Sequence, residues 1–457
     1  MANIILVTHW TGGDVYPFIR FGKLLKKEGH DVTLLTHCVY EEKAKAAGLK
    51  FLAVDTPEEY ECINRDLSML ADPIGNRDDY VRFHTIYHGK TRLLREVELI
   101  EKVMTPDSVI IARHRSSISG LLAAEKHHLP YASMILAPNY FSHMELHDQL
   151  FGSAFCEEIN SARKELGLSP ISGWKDWLYS PKQILCGWPD WYAKRDETWP
   201  DSAVPIGFIP DPDEKGIFDL GDEVLAFRDE AEKAGKKFVI ITGGSSRMVS
   251  SDFYTTAIDA CKCADVFAVV VTPYKEYIPE EMPENIKWVK NVSLRDLMKR
   301  SDLVIHHGGM GTINEAIDAA VPQIVLPHLT DGPDNADRLA ALGIAMKFAP
   351  KMWDASRIAD SIKSQLSEDS RELCIRFRDM NQETYLAKIW LYLIPKMEPY
   401  TLPENLVKKA SDGTETAELE GAGKTSAAGR EVAGRQVSRE LLLKILKKKQ
   451  ESQGKQN

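Results

Sequence analysis

"SDLVIHHGGMGTINEAIDAAVPQIVLPHLTDGPDNADRL", residues 301–339, decides how this chain folds. Its first apolar run has strand length and ends in His306 and His307; Gly308, Gly309 and Gly311 follow, and a helical pattern opens near Thr312. Strand, glycine turn and helix in that order belong to a βαβ unit, whose parallel strands need helices on the faces of the sheet. Glycines let a backbone come close to a ligand, and a helix start presents unpaired N–H groups with positive partial charge. Together they suit a pyrophosphate. The same pattern also serves as a plain tight connection, so the turn alone leaves both readings open.

Working outward, the same alternation fills both halves. "NIILVTH" (3–9), "HDVTLLTH" (30–37), "FLAVD", "SVIIAR" and "YASMILAP" read as strands, with a helix over 17–29 whose first turn holds Pro17. Residues 56–100 and 140–185 read as helical and irregular, and the Pro-, Asp- and Trp-dense stretch 188–216 ends in a connection between domains. A second set begins with "KFVIITGG" (237–244) and continues through "VFAVVV", "IKWV", "DLVIHH" and "QIVLPH". The expected fold class is therefore α/β, two doubly wound Rossmann-like domains facing a cleft. The expected boundaries are 1–215, 216–382, a terminal helix 383–402 that packs back toward the first domain, and a flexible tail 403–457 with a basic amphipathic helix at 438–450. That last helix is a candidate for a protein partner or a solvated end.

Composition excludes several classes. Fifty-seven basic and 67 acidic side chains give a net charge of −10, with no electrostatic footprint for nucleic acid. No apolar run approaches the roughly 18 residues that span a bilayer, and the start shows no signal-peptide pattern. Seven scattered cysteines read as free thiols in a reducing compartment, so the expected location is cytoplasmic.

The stretch 301–339 closely resembles the nucleotide-binding signature of family 1 glycosyltransferases, HHGGxGT-x-x-E-A followed by VPxxxxP and a D-Q-x-x-N-A segment. "TGGDVYPFIRFGKLLKKEGHDVTLLT" is similar to that family's N-terminal motif, in its GDxxP form, and the likeness runs over roughly residues 3–400. The resemblance implies the GT-B fold and an inverting, metal-independent hexosyltransferase. Such an enzyme moves a sugar from a UDP- or dTDP-linked donor to a hydroxyl of a lipophilic small molecule, here expected to be an antibiotic- or polyketide-type secondary metabolite. It needs no cofactor beyond the nucleotide-sugar co-substrate. The resemblance also implies roles. His307, Thr312 and the backbone of Gly308, Gly309 and Gly311 would hold the diphosphate, with Ser245 opposite. Glu315 would bind the ribose, the Val292 region the base, and Asp331 with Gly332 the sugar. Asp14 falls where the family keeps its general base, and a late proton transfer lets a carboxylate serve. Read from local sequence alone, an Asp before a helix is a cap. His9 and Trp10 are the candidates on the acceptor side.

Three departures stand out. Gly332 replaces a glutamine, Ser293 replaces a proline beside the base segment, and "VIIARHRSS" has no acid to match the one that orients a catalytic histidine elsewhere in the family. Weaker signals are the i, i+4 pairs His84/His88 and His143/His147, the pair Cys261-x-Cys263, and "GAGKT" at 421–425, which lacks the first glycine and preceding strand of a P-loop. Two rival functions stay open: a nucleotide-sugar epimerase of the same fold, and a catalytically silent binding subunit that recruits a partner through its tail.

Overall fold

The computed structural model describes residues 2–70, 72–209, 211, 220–245, 247, 249–328, 331–383 and 394–408. Of the expected helix over 383–402, residues 384–393 lie outside these residues, and 394–402 hold only the short 3-10 turn Ile394–Lys396 and a bridge at Pro399 in place of a helix. Of the expected tail 403–457, residues 403–408 are described, with a 3-10 turn at Glu404–Leu406, and residues 409–457 with the basic helix lie outside.

The N-terminal domain is a seven-stranded sheet, all pairs parallel: β1 (Asn3–Val7), β2 (Asp31–Thr36), β3 (Lys50–Ala53), β4 (Ser108–Arg113), β5 (Tyr131–Ile135), β6 (Ile184–Cys186) and β7 (Ala203–Pro205), in the order β3-β2-β1-β4-β5-β6-β7. The C-terminal domain repeats the plan with six parallel strands: β8 (Phe238–Thr242), β9 (Phe267–Val271), β10 (Ile286–Val289), β11 (Leu303–His306), β12 (Gln323–Val325) and β13 (Ala345–Lys347), ordered β10-β9-β8-β11-β12-β13. In each sheet the order reverses beside the first strand, between β1 and β4 and between β8 and β11. Open α/β sheets bind ligands at that switch point, beyond the carboxyl ends of the strands.

Burial on both faces explains the unbroken apolar runs. Ile5, Val7, Ile110 and Ala112 pack into one N-terminal layer, and their alternates Ile4, Leu6, Val109 and Ile111 into the other. β6, β7 and β13 have three residues each, too short for a periodic signal.

The structure corrects two further expectations. The first helix spans Gly12–Lys27, so Pro17 lies inside it and Asp14 is its third residue. The Trp-rich stretch is also more than a connection. It supplies β7, and its Trp188, Tyr192, Trp199 and Phe208 share one buried cluster with Ile313, Ile317 and Leu339 of the second domain. These rings join the two halves. The described residues 394–408 return to the first domain, where Ile394 enters its core, Pro399 bridges Pro130, and Ser172 donates to the Leu406 carbonyl.

Among the described residues no helix is long and apolar enough to cross a membrane. None of their His, Cys, Asp and Glu side chains form a group of three or more able to hold a metal ion. Cys261 is buried while Cys263 is exposed, so the pair does not face one ligand.

Candidate active site

Asp14 sits in the first turn after β1, where a carboxylate faces the positive end of the helix. The Thr11 N–H and hydroxyl each approach its Oδ2 at 3.2 Å. Its Oδ1 lies 2.8 Å from Nη2 of Arg113, at the end of β4. Arg113 also donates to Tyr140 Oη and Ser116 Oγ, both at 2.6 Å. Asp14 is thus a cap and, with a partly exposed side chain, also a carboxylate offered to the cleft. The stretch "VIIARHRSS", which offers no acid, supplies the cation that holds Asp14, a contact with no local signal in the sequence. Burial works against the Arg113 charge, yet Asp14, Tyr140 and Asp331 outweigh it and raise its pKa. Asp331 belongs to the second domain, so one guanidinium feels a carboxylate from each wall.

Across the cleft, β11 runs into His306 and His307, and Gly309 caps the helix Met310–Asp318 with Thr312 buried in its first turn. His306 is fully buried: its Nε2 pairs with Gln323 Oε1 at 3.0 Å, and its Nδ1 accepts from the Gly308 N–H at 3.1 Å. That requires the neutral ring. Burial, helped by His307, pushes His306 down to about 3. Burial likewise pushes His307 down to about 4, against the Thr242 carbonyl, so in the free protein His307 approaches a ligand as neutral imidazole. Positive potential at this wall comes from the helix start. Gly308 has φ +95°, and its absent side chain admits Gly332, whose carbonyl would stand 2.8 Å from a Cβ there. Gly332 in turn would set a Cβ 2.7 Å from the His307 carbonyl. The glycine at 332 therefore serves backbone packing, where a glutamine would clash. A Cβ on Gly311 would meet no atom within 4 Å, which leaves the helix start open to a ligand.

Ser245 closes the site from the turn after β8. Its Oγ would stand 3.1 Å from a Cβ on Gly12, at the start of the opposing helix. Asn335 ties the remaining pieces together, donating to Gly308 O at 2.8 Å and Asp331 Oδ2 at 3.0 Å while accepting from Tyr192 Oη at 2.9 Å.

Three residues stand elsewhere than expected. Glu315 is buried and ion-paired to Arg20 of the first helix, so its carboxylate bridges the domains. Val292 lies in the core with Val269 and Val304 and is not a pocket wall. Its neighbour Ser293, at the family's proline position, caps the helix Leu294–Met298 and donates to Asp296 Oδ2 at 2.6 Å. His9 is buried with both ring nitrogens engaged, Nδ1 with Ser117 Oγ at 2.7 Å and Nε2 with Glu96 Oε1 at 2.9 Å. It has no free nitrogen for an acceptor and acts through packing. Trp10 holds a left-handed φ of +86°, unusual for a bulky residue, and lays its ring on Phe83 and His88.

Two family models match the two halves: the glycosyltransferase family 28 N-terminal domain over residues 4–140, and the erythromycin biosynthesis protein CIII-like C-terminal domain over residues 262–383. The chain has the GT-B fold. The chain is 26% identical over 397 residues to a sterol 3-beta-glucosyltransferase of Leptosphaeria maculans, covering 78% of its own length and 26% of the relative's. A sterol 3-beta-glucosyltransferase of Saccharomyces cerevisiae is 25% identical over 398 residues, covering 78% and 32%. The chain thus spans about a quarter to a third of the length of these relatives. Among solved structures, the glycosyltransferase VinC in complex with dTDP superposes with a TM-score of 0.66 at 18% identity, over 86% of this chain and 99% of that one. The kitacinnamycin glycotransferase gives 0.65 at 18%, over 87% and 99%. These likenesses are of fold.

The buried histidines make the protein sensitive to acid. His114, like His306, is pushed down to about 3, chiefly by burial. A histidine whose pKa is lower folded than unfolded contributes stability that is full above about pH 6.5 and declines as the pH falls toward the folded value. At pH 5 each costs about 2 kcal/mol, or about 4 kcal/mol for the two. Urea denaturation at pH 7.5 and pH 5 measures this, and equal stabilities at both would refute it.

Proposed function

We propose that the protein transfers a hexose, with inversion, from a UDP- or dTDP-linked donor to a hydroxyl of a lipophilic small molecule. One observation carries the reading: Asp14, held on Arg113, faces a helix start flanked by His307 and Ser245 across a cleft between two switch points. As the acceptor oxygen attacks the anomeric carbon, the bond from that carbon to the diphosphate breaks. The hydroxyl proton passes to Asp14, and the helix start and His307 take the charge of the departing nucleoside diphosphate. The diphosphate contacts fall to His307, Thr312 and the Gly308–Gly311 backbone, and the sugar contacts to Asp331. The ribose role expected of Glu315 requires that it leave Arg20 or share it. No step of this scheme is assigned to a metal.

The dTDP named for the VinC complex and the thymidine diphosphate named for a spinosyn rhamnosyltransferase complex support a nucleotide-sugar donor. The sterol 3-beta-glucosyltransferases among the relatives, beside a calicheamicin glycosyltransferase among the fold neighbours, support a lipophilic acceptor. Calorimetric titration with UDP, dTDP and GDP, each with and without EDTA, tests the donor half. Binding of UDP or dTDP that ignores EDTA and drops about tenfold or more in His307→Ala is the expected result. Absence of binding by all three nucleotides overturns the proposal.

A further inference from the structure

A chain with a net charge of −10 gathers positive charge at one place outside the cleft. Lys237 stands just before β8, Asp302 just before β11 and Pro322 just before β12. They border a pocket of about 310 Å³ at the amino ends of those strands, the end of the sheet opposite to Ser245 and His307. The five residues of β8 span about 17 Å, so the pocket is no part of the donor wall. Its volume falls within the roughly 300–1,000 Å³ of small-molecule sites. Arg228, Lys237, Lys299, Arg300 and Arg371 line it, against Asp302 and Glu368, which leaves an excess of three positive charges.

Part of that charge is already matched. Lys237 pairs with Asp302 at 3.2 Å, and the other oxygen of Asp302 accepts from the Phe238 N–H at 2.9 Å. Arg228 donates through Nε to the Arg300 carbonyl at 2.9 Å and reaches Glu232 at 3.3 Å. Three cations keep their charge. The Ser301 carbonyl, 3.2 Å from Nη1 of Arg371, orients that guanidinium without neutralising it. Lys299 is exposed and 3.9 Å from Asp296, a weak pair. Arg300 is exposed and has no ion-pair partner among the described residues. The helix Glu368–Glu383 starts at the same pocket and adds the partial positive charge of its first turn, which Glu368 offsets in part.

Charge alone does not complete the pocket. Gln365, the last residue of the helix Ala355–Gln365, lines its wall and is only 8% exposed. Its Oε1 is buried without a hydrogen-bond partner. A buried oxygen left unpaired is costly, and an amide oxygen can only accept. A bare anion therefore leaves it unanswered, whereas a hydroxyl donates to it. The pocket asks for an anion and a hydroxyl together.

We propose that this pocket binds a phosphate monoester of a polyol, at a site separate from the donor cleft. The phosphate lies against Arg300, Arg371 and Lys299, where guanidinium groups offer paired N–H donors to its oxygens. A hydroxyl of the polyol donates to Gln365 Oε1. Glycerol 3-phosphate is the smallest molecule with both groups. The same chemistry is carried by a free sugar phosphate and by the headgroup of a lysophosphatidate, which is glycerol 3-phosphate bearing one acyl chain.

Calorimetric titration of the full chain compares glycerol 3-phosphate with methyl phosphate, which keeps the anion and lacks the hydroxyl. Excess UDP is present throughout, to occupy a diphosphate site in the cleft. Glycerol 3-phosphate is expected to bind about tenfold tighter or more, because a site built around a hydroxyl discriminates against its absence. Gln365→Leu removes that preference, and Arg300→Glu weakens both esters about tenfold or more. Arg300 is exposed and the Gln365 oxygen makes no bond within the fold, so both variants are expected to melt with the wild type. Binding of neither ester overturns the inference. So do equal affinities of the two esters in the wild-type protein, or affinities that Arg300→Glu leaves unmoved. Flotation with phosphatidylcholine vesicles, with and without lysophosphatidate, then identifies the source. Retention that needs lysophosphatidate and is lost in Arg300→Glu assigns the pocket to a membrane-borne ester; binding of the soluble ester alone assigns it to a free one. Sugar transfer is not part of the readout, so the proposed reaction and this inference stand or fall separately.

Discussion

Asp14→Asn lowers sugar transfer by roughly 10²–10⁴-fold and leaves nucleotide affinity unchanged. Asparagine matches aspartate in size, and its amide oxygen still accepts from the Thr11 N–H, so the helix keeps its cap. What it loses is the lone pair that receives the acceptor proton, and the charge that neutralises Arg113. The second loss has its own signature. Arg113 is almost fully buried, and a stranded guanidinium lowers stability by about 1–3 kcal/mol even with Tyr140 and Ser116 still in place. Thermal melts therefore separate the structural cost from the chemical one. A variant that melts earlier yet turns over at near wild-type rate would leave Asp14 a cap and send the search for the base elsewhere.

Glu315→Leu is the second large effect, and it acts on the joint between the domains. It strips the nearly buried Arg20 of the carboxylate that pairs with it. Breaking such a pair from one side costs about 3 kcal/mol, because the remaining charge stays desolvated. Asp211 and Asp318 still act on Arg20 from a distance and keep the loss from growing. Arg20→Met added to Glu315→Leu removes the stranded charge and is expected to recover most of the stability. UDP titration of that double variant then isolates the ribose question. Weak binding in a stable protein assigns Glu315 to the nucleotide; full binding leaves it a bridge between domains. A loss below about 0.5 kcal/mol in the single variant would show that Arg20 and Glu315 do not hold the halves together.

Much of this was legible in the chain itself, for physical reasons. Strands buried on both faces must be apolar throughout, so "NIILV", "SVIIAR", "FVIIT" and "LVIH" announce themselves. The glycine turn after His307 is equally plain, since Gly308, Gly309 and Gly311 fall between an apolar strand and a helical pattern. Contacts made by topology were not legible. Arg113 meets Asp14 only because β4 lies beside β1 in the sheet, a hundred residues away in the chain. Arg20 and Glu315 are 295 residues apart and meet only because two domains do. The aromatic stretch 188–208 misled for a related reason. Its rings have no period of their own, and their partners Ile313, Ile317 and Leu339 come from the other half. Ser293 carried a local signal that resemblance obscured: a serine three residues before an acid is a helix cap, whatever the family places there.

The return of residues 394–408 to the first sheet changes how the molecule can be divided. In chain terms the second domain is an insert, entered after residue 211 and left before residue 394, between two portions of the first domain. A cut into two fragments near residue 211 would strip Tyr400 and Leu402 from the apolar layer they share with Leu121 and Trp177. Grafting residues 220–383 as a cassette from another enzyme of this fold would leave that layer whole. The second domain as an exchangeable module therefore has two seams.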